Sequence, residues 1–253
     1  MDLQGQAALV TGGGGGLGAG TARALAARGA KVALLDVDEA RAQAVADEIG
    51  GLALACDVTS SDSAEAAVAR AREVHGAARV LVNCAGIAPA ERIVGKTGPM
   101  PLENFRRVID INLIGSFNLL RLAAADMAGL EPDGEGQRGV IVSTASVAAF
   151  EGQIGQAAYT ASKGGIIGLT IQSARDLSAH GVRVCTIAPG IMLTPLLMGL
   201  PQDTLDLLGS QVPFPKRTGD ATEYASLAME IVRNDYLNGE VIRLDGAIRM
   251  GPR

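Results

Sequence analysis

The chain has 253 residues, 48% of them hydrophobic and 19% charged, and a formal net charge of −5. These values are typical of a globular protein with a substantial core, and an acidic balance without a basic block argues against nucleic acid or a membrane surface as the main partner. Three cysteines in or beside apolar runs, Cys56, Cys84 and Cys185, indicate reduced thiols rather than a disulfide framework. The N-terminus lacks the features of a secretory signal or transit peptide, and no apolar run approaches the roughly 20 residues that span a bilayer, so we expect a cytoplasmic protein.

Apolar runs alternate with helical patterns along the whole chain. The runs predict seven strands, at Ala7–Thr11, Val32–Leu35, Leu52–Cys56, Val80–Asn83, Val140–Val142, Val182–Ile187 and Glu240–Leu244. Helices are predicted between them, including one long helix from about Leu102 to Met127 and another from about Gln156 to Ala179. Several strands are almost continuously apolar, as expected when helices cover both faces of a sheet. The pattern predicts one α/β domain over 1–253, with a Rossmann-type doubly wound, seven-stranded parallel sheet.

Two segments lie outside this alternation. Residues 87–101 contain three prolines and predict a loop. Residues 191–218 combine a helical patch with four prolines, and we expect them to form a mobile lid over the substrate. The apolar residues of this lid, which would suit an acyl chain or a steroid equally well, are Ile191, Met192, Leu193, Leu196, Leu197, Met198 and Leu200. Core packing against a neighbouring helix is the alternative explanation for them.

A glycine-rich turn, TGGGGGLG at Thr11–Gly18, joins the first strand to the first helix. Glycines in this position let the backbone approach a pyrophosphate, which the N-terminus of the next helix stabilises. Asp36 ends the second strand, where a carboxylate accepts hydrogen bonds from adenosine ribose hydroxyls and repels a 2′-phosphate. Residues 12–18 carry no Arg or Lys and Val37 follows Asp36, so we predict NAD as the cofactor. The alternative role of Asp36, capping the next helix, fits Asp38 better.

The segment from Ser146 to Lys163 carries three groups able to take part in proton transfer. Tyr159 and Lys163 are four residues apart and lie on one face if the segment is helical. An ammonium beside a phenol favours the phenolate, which lowers a pKa of ordinarily about 10 toward neutrality. This arrangement predicts a proton donor and acceptor. The alternative is a surface Tyr and Lys that share a helix face without a chemical role.

The motifs together resemble those of the short-chain dehydrogenase/reductase family. They are TGxxxGxG at Thr11–Gly18, NCAG at Asn83–Gly86, and Ser146 thirteen residues before Tyr159-x3-Lys163. Cys84 departs from the pattern, since the family usually has a second Asn there. More narrowly, STASVAAFEGQIGQAAYTASKGG, SQVPFP and LNGEVIRLDGAIRM are similar to the type 2 3-hydroxyacyl-CoA dehydrogenases, also called the 17β-hydroxysteroid dehydrogenase type 10 group. The absent leader and a shorter loop near residues 95–100 favour a bacterial member.

The resemblance implies a role for each of four catalytic residues. Tyr159 would be the general acid and base, and Lys163 would hold the nicotinamide ribose and lower the Tyr159 pKa. Ser146 would bind the substrate oxygen together with Tyr159. Asn112 would hold a water that links Lys163 to solvent, the alternative being a polar residue that kinks the long helix.

The glycine turn, the strand ends and the resemblance together imply a cofactor site, and no metal is expected. Its residues are Gly12, Gly15, Gly16, Leu17, Gly18, Asp36, Asp57, Val58, Asn83, Cys84, Gly86, Tyr159, Lys163, Pro189, Gly190, Met192 and Thr194. Met192 is equally explained by loop packing. The phosphates of a CoA substrate would favour cations near the cleft, and the candidates are Arg92, Lys96 and Lys216.

The implied activity is reversible NAD-dependent hydride transfer between a 3-hydroxyacyl-CoA and its 3-oxoacyl-CoA. Two alternatives stay open: a dehydrogenase of hydroxysteroids or other secondary alcohols, and a non-catalytic NAD-binding scaffold subunit. The scaffold is considered because the mitochondrial member of the group also serves in a tRNA-processing complex. An intact set of four catalytic residues and the acidic balance argue against it. The family resemblance also implies a homotetramer.

Overall fold

The computed structural model describes residues 1–199 and 201–252, with the side chains of Pro195 and Leu196 left out, so Leu200 and the Leu196 side chain of the predicted lid lie outside the described residues. The strands are β1 (Ala7–Thr11), β2 (Lys31–Asp36), β3 (Leu52–Ala55), β4 (Val80–Asn83), β5 (Val94–Gly95), β6 (Gly98–Pro99), β7 (Gly139–Thr144), β8 (Val182–Pro189) and β9 (Val241–Leu244). The helices are α1 (Gly16–Ala26), α2 (Glu39–Ile49), α3 (Ser61–His75), α4 (Leu102–Ile109), α5 (Gly115–Ala128), α6 (Ala157–Asp176), α7 (Pro195–Met198), α8 (Gln202–Ser210) and α9 (Ala221–Arg233).

Seven strands form one parallel sheet in the order β3-β2-β1-β4-β7-β8-β9, which confirms the predicted fold class. The chain winds outward from β1 to β3 and then returns to the other side of β1 with β4. This reversal opens a crevice beyond the carboxyl ends of β1 and β4, where open α/β sheets bind their ligands. At that edge Thr11 pairs with Asn83, and Asn83 pairs with Ser143.

The core lies on both faces of the sheet. Val10 and Val82 point into the layer formed with α1, α2 and α9, and their neighbours Leu9 and Leu81 point into the layer formed with α3 and α5. Side chains alternate between the two faces of a strand, so a strand covered on both sides must be apolar at every position. This explains the continuous apolar runs.

The predicted long helix is present, but its middle is irregular. Residues Asp110–Ile114 form a π-helical turn between α4 and α5, with Asn112 completely buried in it. A π-turn inserts one residue into the helix, and such turns often occur at functional sites. The continuous helix Leu102–Ala128 is long and apolar enough to meet the criterion for a membrane span. Half of the most apolar stretch of this helix is buried inside the protein, as in the core helix of a globular protein.

Two predicted irregular segments contain regular structure. The predicted loop 87–101 includes a small antiparallel hairpin of β5 and β6. The segment 191–218 contains α7, and α8 covers the helical patch predicted within it. Both β7 and β8 extend beyond their predicted ends by two residues, because their last residues still pair within the sheet. These extensions place Thr144 and Pro189 at the edge that forms the crevice.

Candidate active site

The crevice is a cleft of about 1650 Å³. Its lining includes all predicted catalytic and cofactor residues except Asn83 and Asn112, which are buried beneath it. These residues come from the ends of β1, β2, β3, β4, β7 and β8 and from α6. The parallel sheet brings them together because all its strands point the same way.

The glycine turn forms one end of the cleft. Helix α1 begins at Gly16 after the N-cap residue Gly15, which has no side chain to cap it. Gly12 and Gly16 adopt left-handed φ values of 63° and 51°, which favour glycine. A side-chain carbon at Gly12 would lie 2.9 Å from the backbone nitrogen of Ala85. The turn therefore leaves the N–H groups of an uncapped helix end at the cleft, as an anion site requires.

Asp36 is held at the rim of the cleft by two backbone groups. Its Oδ2 accepts a hydrogen bond from the Gly14 N–H at 2.9 Å, and its Oδ1 accepts one from the Asp38 N–H at 3.0 Å. Asp38, as predicted, is the residue that caps α2, by accepting a hydrogen bond from the Arg41 N–H at 3.1 Å. A carboxylate oxygen can accept two hydrogen bonds, so each Asp36 oxygen keeps a lone pair available for a ribose hydroxyl.

Arg41 lines the same rim, and the sequence interpretation did not consider it. A side-chain carbon added at Gly14 would lie 2.9 Å from the Arg41 Cβ and 3.0 Å from the Asp36 Oδ2. The signal was its place in the first turn of α2, five residues after Asp36. None of the cations proposed for a CoA phosphate lines the cleft; its basic lining residues are Arg41, Arg106, Arg107 and Lys163.

Tyr159 and Lys163 lie on one face of α6, with the Lys163 Nζ 5.8 Å from the centre of the phenol ring. Burial raises the pKa of Tyr159, and a hydrogen bond with Ser146 opposes that shift. The expectation that Lys163 lowers the Tyr159 pKa is therefore not met by the protein groups alone. The physical reason is that desolvation disfavours the phenolate more strongly than its neighbours stabilise it.

The Lys163 ammonium is buried, and it donates one hydrogen bond within the part of the chain that the structure describes. Its Nζ donates to the backbone carbonyl of Thr144 at 2.7 Å. Burial lowers its pKa to about 8, and the nearby Cys84 thiol opposes the shift. An ammonium has three donors, so two can serve groups in the cleft.

Asn112 connects the floor of the cleft to the catalytic helix. Its Nδ2 donates to the Ile87 carbonyl at 2.9 Å and to the Ser162 Oγ at 3.0 Å, and its Oδ1 accepts from the Ile87 N–H at 2.8 Å. The side chain therefore fixes the segment after β4 against the residue that precedes Lys163. It also lies in the irregular turn that the alternative interpretation predicted. Its water-holding role stays a prediction.

Asn83 acts from beneath the cleft. Its Nδ2 donates to the Ser116 carbonyl at 3.2 Å, which ties β4 to α5. Met192 is 7% exposed, lines the cleft and would collide with any side chain at Gly219, so packing and cleft lining occur together. Thr194, Pro189 and Gly190 line the same side of the cleft.

The sequence profile described as short chain dehydrogenase matches residues 6–205. The chain is 54% identical to a 3-hydroxyacyl-CoA dehydrogenase type-2 of Bos taurus and 52% identical to that of Homo sapiens, each over 99% of this chain and 97% of the relative. A crystal structure of 3-hydroxyacyl-CoA dehydrogenase type-2 from Mycobacterium avium superposes with a TM-score of 0.95 at 45% identity, covering 98% of both chains. The chain therefore belongs to the short-chain dehydrogenase family, whose members are nicotinamide-dependent oxidoreductases.

Proposed function

We propose that this protein catalyses reversible, NAD-dependent hydride transfer between a 3-hydroxyacyl-CoA and its 3-oxoacyl-CoA. The observation that carries the reaction class is the convergence of Ser146, Tyr159 and Lys163 in the cleft that also contains the uncapped start of α1 and Asp36. The substrate class rests on the names of relatives that are more than half identical over nearly the whole chain.

The residues present fit a dinucleotide. The N–H groups at the start of α1 suit a pyrophosphate, and Asp57, Val58 and the backbone at Cys84 line the part of the cleft beside β3 and β4, where an adenosine would lie. Pro189, Gly190, Met192 and Thr194 would hold the nicotinamide end. When bound, NAD⁺ would supply the hydride acceptor.

Asp36 supports NAD rather than NADP. The two backbone hydrogen bonds fix the carboxylate where ribose hydroxyls would lie, so its charge would repel a 2′-phosphate. Arg41 brings a positive charge to the same rim and acts against that repulsion. The carboxylate, held more rigidly than the exposed Arg41 side chain, would decide the preference.

Tyr159 would remove the proton from the substrate hydroxyl during oxidation and return it during reduction. Ser146 would donate a hydrogen bond to the substrate oxygen, stabilising the negative charge that develops there. Lys163 would use its two remaining donors to hold ribose hydroxyls, and its positive charge would favour the phenolate form of Tyr159. Asn112 would place a water between Lys163 and solvent, completing a proton path.

A dehydrogenase of hydroxysteroids or other secondary alcohols is the second candidate. Ile191, Met192 and Leu197 give the cleft an apolar side that would suit a steroid as well as an acyl chain. We propose that the segment 191–218 acts as a lid over this side. An assay of kcat/KM with NADH over short and long 3-oxoacyl-CoAs and several ketosteroids distinguishes the candidates. Turnover of a ketosteroid without turnover of acetoacetyl-CoA would reject the acyl-CoA proposal.

We further propose that the protein is a cytoplasmic homotetramer. Phe117 on α5 and Ile171 on α6 are 45% and 46% exposed, so both helices present large apolar side chains to solvent. Association of these faces would bury them, as is common in oligomers. A monomer mass by light scattering would reject the tetramer.

A further inference from the structure

A hydrogen-bonded network of buried polar groups lies behind the cleft and reaches Lys163. The Thr144 Oγ1 lies 2.5 Å from the Asn83 carbonyl oxygen and 2.7 Å from the Tyr224 hydroxyl. The Cys84 Sγ lies 3.8 Å from the same hydroxyl. The backbone carbonyl of Thr144 accepts the hydrogen bond from Lys163. Tyr224 belongs to α9, 80 residues after Thr144, and is completely buried.

The Thr144 Oγ1 also lies 3.7 Å from the Cys84 Sγ, and one arrangement of protons satisfies the two shorter oxygen–oxygen contacts. A carbonyl only accepts, so Thr144 must give its single hydroxyl proton to Asn83. Tyr224 must then donate to the Thr144 Oγ1, and its oxygen is left to accept from the Cys84 thiol. Burial raises the pKa of Tyr224 well above its ordinary value, so the phenol keeps its proton and remains a donor at neutral and mildly alkaline pH.

Thr144 holds the Lys163 side chain in place through its backbone carbonyl. Its carbonyl is the acceptor recorded for the Lys163 Nζ among the described residues, so the position of that carbonyl sets the position of the ammonium. The next residue, Ala145, is fixed to β8 by its N–H bond to Ile187 at 2.8 Å, and Ser146 follows. A shift of Thr144 would therefore displace both Lys163 and Ser146.

We propose that Tyr224 is a positioning residue for the active site, which acts by donating a hydrogen bond to Thr144 and so fixing the carbonyl that holds Lys163. A phenylalanine would fill the same apolar surroundings without needing a partner for its ring edge. The phenol therefore has a cost of desolvation that only its hydrogen bonds offset. Those hydrogen bonds connect the Tyr224 hydroxyl to Thr144 at the end of β7, whose carbonyl accepts the hydrogen bond from Lys163. The hydroxyl therefore acts on the active site through Thr144.

The test is Tyr224→Phe, which removes one oxygen and keeps the ring. We expect kcat to fall about fivefold, the size of one lost neutral hydrogen bond, with KM for the ketone within about twofold. A displaced ammonium stabilises the Tyr159 phenolate less, so the pKa that limits alcohol oxidation at acidic pH should rise by roughly half a unit. Thr144→Val should reproduce both effects, whereas Thr144→Ser, which keeps the hydroxyl, should have most of the wild-type activity. The double variant Thr144→Val with Tyr224→Phe should be no less active than either single variant.

The matched control is Thr170→Val. Thr170 and Thr186 form a buried hydroxyl pair of the same length, 2.7 Å, and among the described residues no hydrogen bond joins this pair to the Lys163 or Thr144 side chains. The control should lower Tm without moving the pH profile. A Tyr224→Phe enzyme with the wild-type pH profile, whatever its Tm, would overturn the proposal, as would one whose kcat falls no more than that of Thr170→Val.

The inference rests on the proposed dehydrogenase chemistry but not on the acyl-CoA substrate. All variants are compared on one ketone that the wild-type enzyme reduces with NADH, and acetoacetyl-CoA is tried first. Failure of acetoacetyl-CoA with turnover of another ketone counts against the proposed substrate alone. The pH profile of the variants on that other ketone then decides the role of Tyr224.

Discussion

Replacing Lys163 by methionine should abolish activity and yet make the folded protein more stable at neutral pH. Burial lowers the Lys163 pKa from 10.5 to about 8, so below pH 8 the folded state carries a charge that its surroundings disfavour. A lysine with this perturbation costs about 3 kcal/mol of folding free energy at pH 7, relative to one with an ordinary pKa. Methionine removes that cost but leaves the Thr144 carbonyl without its donor, which costs roughly 1–2 kcal/mol. We expect a net gain of about 1–2 kcal/mol.

The same pKa fixes a pH dependence. Between pH 8 and 10.5 the unfolded chain keeps the lysine proton that the folded chain has released, so the wild-type protein gains stability as pH rises through this window. From pH 7 to 9 the gain is about 1 kcal/mol, and Lys163→Met should lack it. The Cys56 thiol, whose pKa is raised to about 11, gives the opposite trend above pH 9. That trend is common to both proteins and cancels in their difference.

Urea unfolding at pH 7, 8 and 9, at one protein concentration and without added cofactor, measures this difference. Lys216→Met, at an exposed lysine, is the control and should match the wild type at every pH. A Lys163→Met protein less stable than the wild type at pH 7 would refute the reasoning. A stability difference that does not change with pH would refute it equally.

Three further predictions concern the cofactor and the chemistry. Tyr159→Phe should lose turnover while its NADH Kd, measured by fluorescence titration, stays within about twofold, and retention of most activity would exclude Tyr159 as the acid and base. Asp36→Ser should raise kcat/KM with NADPH at least tenfold, because the repulsion of the 2′-phosphate is removed while Arg41 remains. Adding Arg41→Gln should reverse most of this gain. An unchanged ratio of kcat/KM with NADPH to kcat/KM with NADH would contradict the prediction. Gly18→Ala should weaken NADH binding and lower Tm, because the new carbon would overlap the Gly12 carbonyl of the same turn. A carbon added at Gly164 meets none of the described residues beyond its own helical turns within 4 Å, so Gly164→Ala should leave Tm unchanged or higher. Equal Tm values for these two variants would contradict the steric argument.

The sequence by itself determined the sheet and the position of its chemistry. Each strand is a local apolar run, and a parallel sheet aligns the carboxyl ends of all its strands, so residues that follow the runs must meet at one edge. The glycine turn, Asp36 and the Tyr159–Lys163 pair were recognisable for this reason. Their geometry depends on neighbours in sequence or on one helix face.

Only the tertiary structure decided what surrounds these residues. The π-turn at Asn112 and the approach of Arg41 to Asp36 depend on how helices pack against the sheet. The direction of the Tyr159 pKa shift depends on its burial, which no spacing of residues states. Tyr224 reaches Thr144 only because α9 packs behind β7, and desolvation and hydrogen bonds between distant segments exist only once the chain has folded.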